Sequence, residues 1–116
     1  MSSVTLYGIK NCDTVKNARK WLDANSVPYT FHDFRVDGID KTLINNFLKQ
    51  IDLETVINKR GTTWRKLSDK EKEFNNKTQA IALMIENPAI IKRPVLDVDK
   101  TLVVGFSEEN YKSIKF

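Results

Sequence analysis

The spacing of apolar positions changes along the chain, and each change predicts an element. Residues 4–7 form a short apolar run with a β-branched start, closed by Gly8, and predict a strand. From Cys12 onward the period lengthens. Val15, Ala18 and Leu22 fall at helical spacing with Trp21 beside them, while Lys16, Lys20 and Asp23 turn outward. This helix is expected to end near Asn25, just before residues 26–28. Residues 29–34 alternate aromatic and polar side chains and predict a second strand. Val36-Asp37-Gly38 has turn chemistry, and Asp40 is placed to cap a helix carrying Leu43, Ile44, Phe47 and Leu48. Residues 52–57 predict a short helix, 58–63 a polar loop around Gly61, and 64–67 a helical turn. Ser68 with Glu71 three residues on has the pattern of a capping box. Residues 78–86 carry Ala80, Ile81, Leu83, Met84 and Ile85 and predict a well-buried helix, stopped by Asn87-Pro88. Residues 95–98 and 101–104 predict paired strands around a tight Asp99-Lys100 turn, ended by Gly105. Ser107 with Asn110 then starts a short helix with Tyr111 and Ile114 facing in.

The order is a βαβ unit, a block of helices, a ββ hairpin and a helix. A right-handed crossover makes the first two strands parallel. The expected class is therefore α/β: a mixed sheet core from residues 1–38 and 88–116, with a helical insertion over 39–87. At 116 residues the expectation is a single domain, long enough to bury a core without staples, and a monomer. No internal repeat, low-complexity tract or interdomain linker interrupts it.

Composition narrows the function classes. The 41% hydrophobic and 29% charged fractions are those of a soluble globular protein. No apolar run reaches the roughly 18 residues of a membrane span. Residues 1–6 lack a basic region followed by an apolar one, so no secretory leader is expected. The net charge of +4 comes from 19 basic and 15 acidic side chains, interspersed rather than gathered in the dense stripe typical of nucleic-acid binding. No residues have metal-ligand spacing, and no glycine-rich phosphate loop is present. The single cysteine forms no internal disulfide, which fits a reducing, cytoplasmic setting.

That cysteine, Cys12, is the candidate for chemistry because of its place, where the first strand hands over to the first helix. The first N–H groups of a helix are unpaired and carry partial positive charge, and a thiolate there is stabilised. Lys10 and Lys16 add positive charge nearby, and Asp13 opposes it. Asn11 and Thr14 are short polar residues suited to capping the helix or bonding the sulfur. With no second cysteine, any redox turnover must borrow an outside thiol to resolve a mixed disulfide.

Five blocks carry a family resemblance: LYGIKNCDTVKNARKWL over 6–22, FHDFRVDG over 31–38, RGTTWRKL over 60–67, AIIKRPVLD over 89–97 and LVVGFSEENY over 102–111. In this order they resemble the arsenate reductase-like (ArsC/Spx) family, and especially its YffB-type branch, over nearly the whole chain. The resemblance implies a thioredoxin-like core with a helical insertion. It implies Cys12 as the catalytic nucleophile and Arg60 and Arg93 as binders of an anionic group. It also implies that Pro94 follows the arginine in a cis peptide bond facing the cysteine. Arginine suits that role because its planar fork donates paired bonds to oxyanions.

The chain departs from arsenate reductases in lacking the further arginine of their C-terminal site, since no arginine follows Arg93. It departs from redox-sensing Spx regulators in having Val15 where their second cysteine stands. The resemblance thus implies a glutathione-dependent thiol reductase with no bound cofactor and glutathione as co-substrate. The alternatives are a non-catalytic module that binds the RNA polymerase α subunit, a true arsenate reductase, or a small-anion sensor without turnover. Arg65, Lys66 and Lys92 are expected to be surface charges, Trp64 packing, and His32 a structural residue of the second strand.

Overall fold

The computed structural model describes residues 3–73 and 76–116. Met1 and Ser2, the start of the segment in which no secretory leader is expected, lie outside them. Among the described residues, β1 (Val4–Gly8), β2 (Thr30–Asp33), β3 (Val95–Val98) and β4 (Thr101–Val104) form a four-stranded sheet in the order β2-β1-β3-β4. β1 and β2 run parallel, with Leu6 opposite Phe31 and Gly8 opposite Asp33. β3 runs antiparallel to both β1 and β4. The crossover between the parallel pair is α1 (Asp13–Ala24). This mixed sheet with its flanking helices is a thioredoxin-like fold.

The chain forms two compact units: residues 1–37 with 93–116, and residues 38–92. In the first, side chains alternate across the sheet, so Val4 and Leu6 of β1 and Leu96 and Val98 of β3 share one face. Onto that face pack Val15, Ala18 and Leu22 of α1 and Tyr111 of α7 (Glu108–Lys112). The helical spacing of the first three is what puts them on one stripe. α1 ends where Ser26 adopts φ +56°, with Val27 N–H donating to Leu22 O at 2.9 Å. The β3–β4 turn has φ +51° at Asp99 and +75° at Lys100. Those are the two positive angles that a two-residue hairpin turn needs to match strand twist.

The second unit comprises α2 (Lys41–Leu48), α3 (Leu53–Val56), α4 (Thr62–Lys66), α5 (Asp69–Lys72) and α6 (Lys77–Glu86), then a 3₁₀ turn at Pro88–Ile90. Asp40 caps α2, accepting from Leu43 N–H at 2.8 Å. Both bonds of the Ser68–Glu71 capping box are made, at 3.0 and 3.1 Å. α4 begins at Thr62, inside the segment expected as loop, because Gly61 is already its N-cap. Residues 88–92, expected with the sheet, belong to this unit. There Ile91 bridges Ile57, and Lys92 N–H donates to Val56 O at 2.7 Å. No helix of the described residues is long and apolar enough to cross a membrane.

Candidate active site

Cys12 is itself the N-cap of α1, in an extended conformation with φ −98° and ψ 125°. Its carbonyl accepts the first helical bond from Lys16 N–H at 2.9 Å, and its own N–H closes a turn onto Ile9 O at 3.2 Å. The thiol therefore stands over the unpaired amides of the first helical turn. Half-burial pushes the thiol pKa up, because a thiolate loses solvation there. The Val15 amide, the positive Arg93 side chain and the Thr14 amide favour the thiolate and together outweigh that burial, while the thiol makes no side-chain cap bond of ordinary length. The net pKa lies below the ordinary thiol value.

Arg93 reaches the thiol because of the sheet order. β3 pairs with β1, and Arg93 and the buried Pro94 immediately precede β3. The end of β1 runs into the loop that carries Cys12. The Arg93–Pro94 peptide bond is cis, and Pro94 O accepts from Gly105 N–H at 2.8 Å.

A close approach seats the helix start. A Cβ on Gly8 would lie 2.7 Å from Cγ2 of Val15, a fully buried and χ1-restricted side chain. Only glycine at the end of β1 lets the first turn of α1 sit this near the strand. In the chain, Gly8 is legible as a strand terminator, and its role in helix docking is visible only in three dimensions.

Of the expected site residues, Cys12, Arg93, Pro94, Thr14 and Asn11 lie in the first unit. Thr14 serves the sulfur through its backbone N–H. Asn11 is exposed in the turn before the helix, and Cys12 rather than Asn11 occupies the cap. Lys10 and Lys16, closer in sequence, are exposed, and the charge that acts on the thiol is that of Arg93. Arg60 lies in the second unit, exposed in the turn before α4, its N–H donating to Asn58 Oδ1 at 3.2 Å. Trp64 is half-buried, with the Lys59 and Lys72 ammonium groups 5.9 and 6.0 Å from its ring. The His32 ring lies tilted against Tyr7, 5.1 Å between ring centroids. Arg65, Lys66 and Lys92 are exposed.

Asp33 and the amide of Val15 are the residues that sequence reasoning missed. Asp33 read as one polar position in an alternating strand, yet it is buried at 6% exposure. No pattern in the chain marks a backbone amide as a sulfur ligand.

Known proteins resemble this chain over nearly its whole length. The chain is 43% identical over 110 residues to an uncharacterized protein of Haemophilus influenzae, covering 95% of this chain and 96% of that one. A solved structure of a YffB protein superimposes with a TM-score of 0.89 at 42% identity, covering 96% of this chain and 97% of its own. The global transcriptional regulator Spx 2 of Lactococcus lactis is 29% identical over 112 residues, 95% of this chain and 84% of the regulator. The ArsC family model matches residues 7–114, and the chain belongs to the ArsC family.

Proposed function

We propose that this protein is a glutathione-dependent thiol reductase in which Cys12 is the nucleophile. The observation that carries this reading is the placement of the Cys12 sulfur against the Val15 and Thr14 amides and the Arg93 side chain, which together favour the thiolate. The thiolate attacks the glutathionyl sulfur of a mixed disulfide. A bond forms between Cys12 Sγ and that sulfur, the original S–S bond breaks, and the substrate thiol leaves with its electron pair and takes a proton from solvent. A second glutathione, as thiolate, then attacks the glutathionyl sulfur of the Cys12 adduct, whose bond to Cys12 Sγ breaks and returns Cys12 to the thiolate. Glutathione disulfide leaves, and the two electrons of the reduction come from glutathione. No second cysteine is needed, and the chain has none. Arg93 binds the anionic part of the substrate through its guanidinium fork, and Arg60, an anion binder by family resemblance, is tested beside it. With no arginine after Arg93, the chain suits a carboxylate-bearing thiol better than a multiply charged oxyanion.

The test is the pH dependence of Cys12 alkylation by iodoacetamide, with and without glutathione, joined to intact mass after exposure to glutathione disulfide. The expected result is an alkylation midpoint below that of a free thiol and one glutathione adduct on Cys12, diminished in Arg60→Ala and Arg93→Ala. An ordinary midpoint with no adduct overturns the proposal.

The similarity to Spx 2 favours a second reading, a non-catalytic module that binds the RNA polymerase α subunit. Val15 stands where a redox pair would need its second cysteine, so binding would not be switched by a disulfide within the chain. Recovery of the α subunit by a Cys12→Ser variant in a pull-down favours this reading and counts against the enzyme.

A further inference from the structure

Asp33 is the buried charged side chain among the described residues, at 6% exposure, and the reaction above does not use it. It ends β2, directly opposite Gly8, the last residue of β1 before the Cys12 loop. Its carboxylate is divided between two backbone donors. Oδ2 accepts from Lys10 N–H at 3.2 Å, and Oδ1 accepts from Arg35 N–H at 2.8 Å. Lys10 lies within the turn that Cys12 N–H closes onto Ile9 O. The backbone of Asp33 is itself held in place. Asp33 N–H donates to Asp37 Oδ2 at 2.9 Å, Asp37 N–H donates back to Asp33 O at 2.7 Å, and Phe34 N–H donates to Gly8 O at 2.9 Å.

A buried carboxylate is retained at a cost unless its oxygens are satisfied, and here two amides satisfy them. What they join is informative: one amide belongs to the loop after β1 and the other to the loop after β2. We propose that Asp33 is a positioning residue for Cys12, clamping the 9–12 turn to the end of β2 so that the sulfur meets the amides of Thr14 and Val15 and the side chain of Arg93. It acts through Lys10 and not as a charge on the sulfur. The groups acting on the thiol are those amides and Arg93, and the nearby Asp13, Lys10 and Lys16 are exposed. The proposal rests on the thiolate reading for its functional consequence, and on the clamp geometry for its structure.

The experiment uses the full chain. Asp33→Asn keeps one acceptor oxygen and places an amide NH₂ against the other backbone donor, so one of the two bonds is lost. Asp37→Asn, which removes one nearby charge and keeps an acceptor for Asp33 N–H, is the control. Loss of position raises the Cys12 alkylation midpoint in Asp33→Asn and slows alkylation below the midpoint by about tenfold, a shift of about one pH unit. The control stays at the wild-type value. A midpoint that falls shows Asp33 acting as a charge, and an unchanged midpoint shows that it does not position Cys12; either overturns the proposal. Should Asp33→Asn fail to fold, the wild-type protein still decides. Its Lys10 and Arg35 amides are expected to be protected from hydrogen exchange. A freely exchanging Lys10 amide overturns the clamp. If instead wild-type Cys12 titrates as an ordinary thiol, the thiolate reading fails while the Lys10 amide still reports on the clamp.

Discussion

At the scale of single residues, the start of α1 is governed by contacts too close to tolerate an added atom. Gly8→Ala puts a methyl group 2.7 Å from Val15 Cγ2. Val15 is fully buried and β-branched, so it has little room to move aside. The expected outcome is a loss of about 1–3 kcal/mol in denaturant unfolding, together with a higher Cys12 alkylation midpoint as the first helical turn moves off the strand. Tyr111 offers the opposite case. Its ring is fully buried, edge-on to Trp21 at 5.5 Å and to Phe106 at 4.7 Å, and its hydroxyl has no hydrogen-bond partner among the described residues. Removing an unsatisfied buried hydroxyl relieves its desolvation penalty, so Tyr111→Phe is expected to stabilise the protein by about 1 kcal/mol, read as a raised melting temperature. Of these features, the burial of Tyr111 was legible from its spacing near the C-terminus. The orphaned hydroxyl was not, because satisfaction depends on what surrounds the ring.

At the scale of elements, periodicity carried most of the information. Val15, Ala18 and Leu22 share a face because the helix turns every 3.6 residues, whatever they pack against. Caps were legible for the same reason: Asp40, Ser68 and Ser107 each reach an amide three residues on, a strictly local geometry. Element ends were less so. α4 starts earlier than expected because Gly61 caps it, although Gly61 reads equally well as a loop residue. The end of α1 offers a test. Ser26 holds φ +56°, a conformation that costs a residue with a Cβ and costs glycine little. Ser26→Gly is expected to stabilise the protein by about 0.5–1 kcal/mol in urea unfolding, with no change in Cys12 reactivity.

For the whole molecule, the ionisable groups set opposite limits on stability with pH. Cys12 has a lowered folded pKa, so its thiolate stabilises the fold above the ordinary thiol value, and that contribution fades as pH falls through the folded value. The stability of wild type relative to Cys12→Ser is therefore expected to grow with pH across that window, measured as urea midpoints at successive pH values. Tyr111 works the other way. Burial raises its pKa, so its neutral form stabilises the fold below the ordinary tyrosine value of about 10, and this is lost as pH rises beyond it. Alkaline unfolding is expected to begin at higher pH in Tyr111→Phe than in wild type. By itself the sequence determined the elements, their order, the hairpin turn and the position of Cys12 at a strand–helix junction, because each follows from contacts a few residues apart. Only the tertiary structure decided that Arg93, not the neighbouring lysines, meets the thiol, that Gly8 makes room for Val15, and that Asp33 holds the loop. The first and third depend on β1 lying between β2 and β3, and the second on how closely α1 packs on β1. Strand pairing joins residues far apart in the chain, and spacing along the chain does not record it.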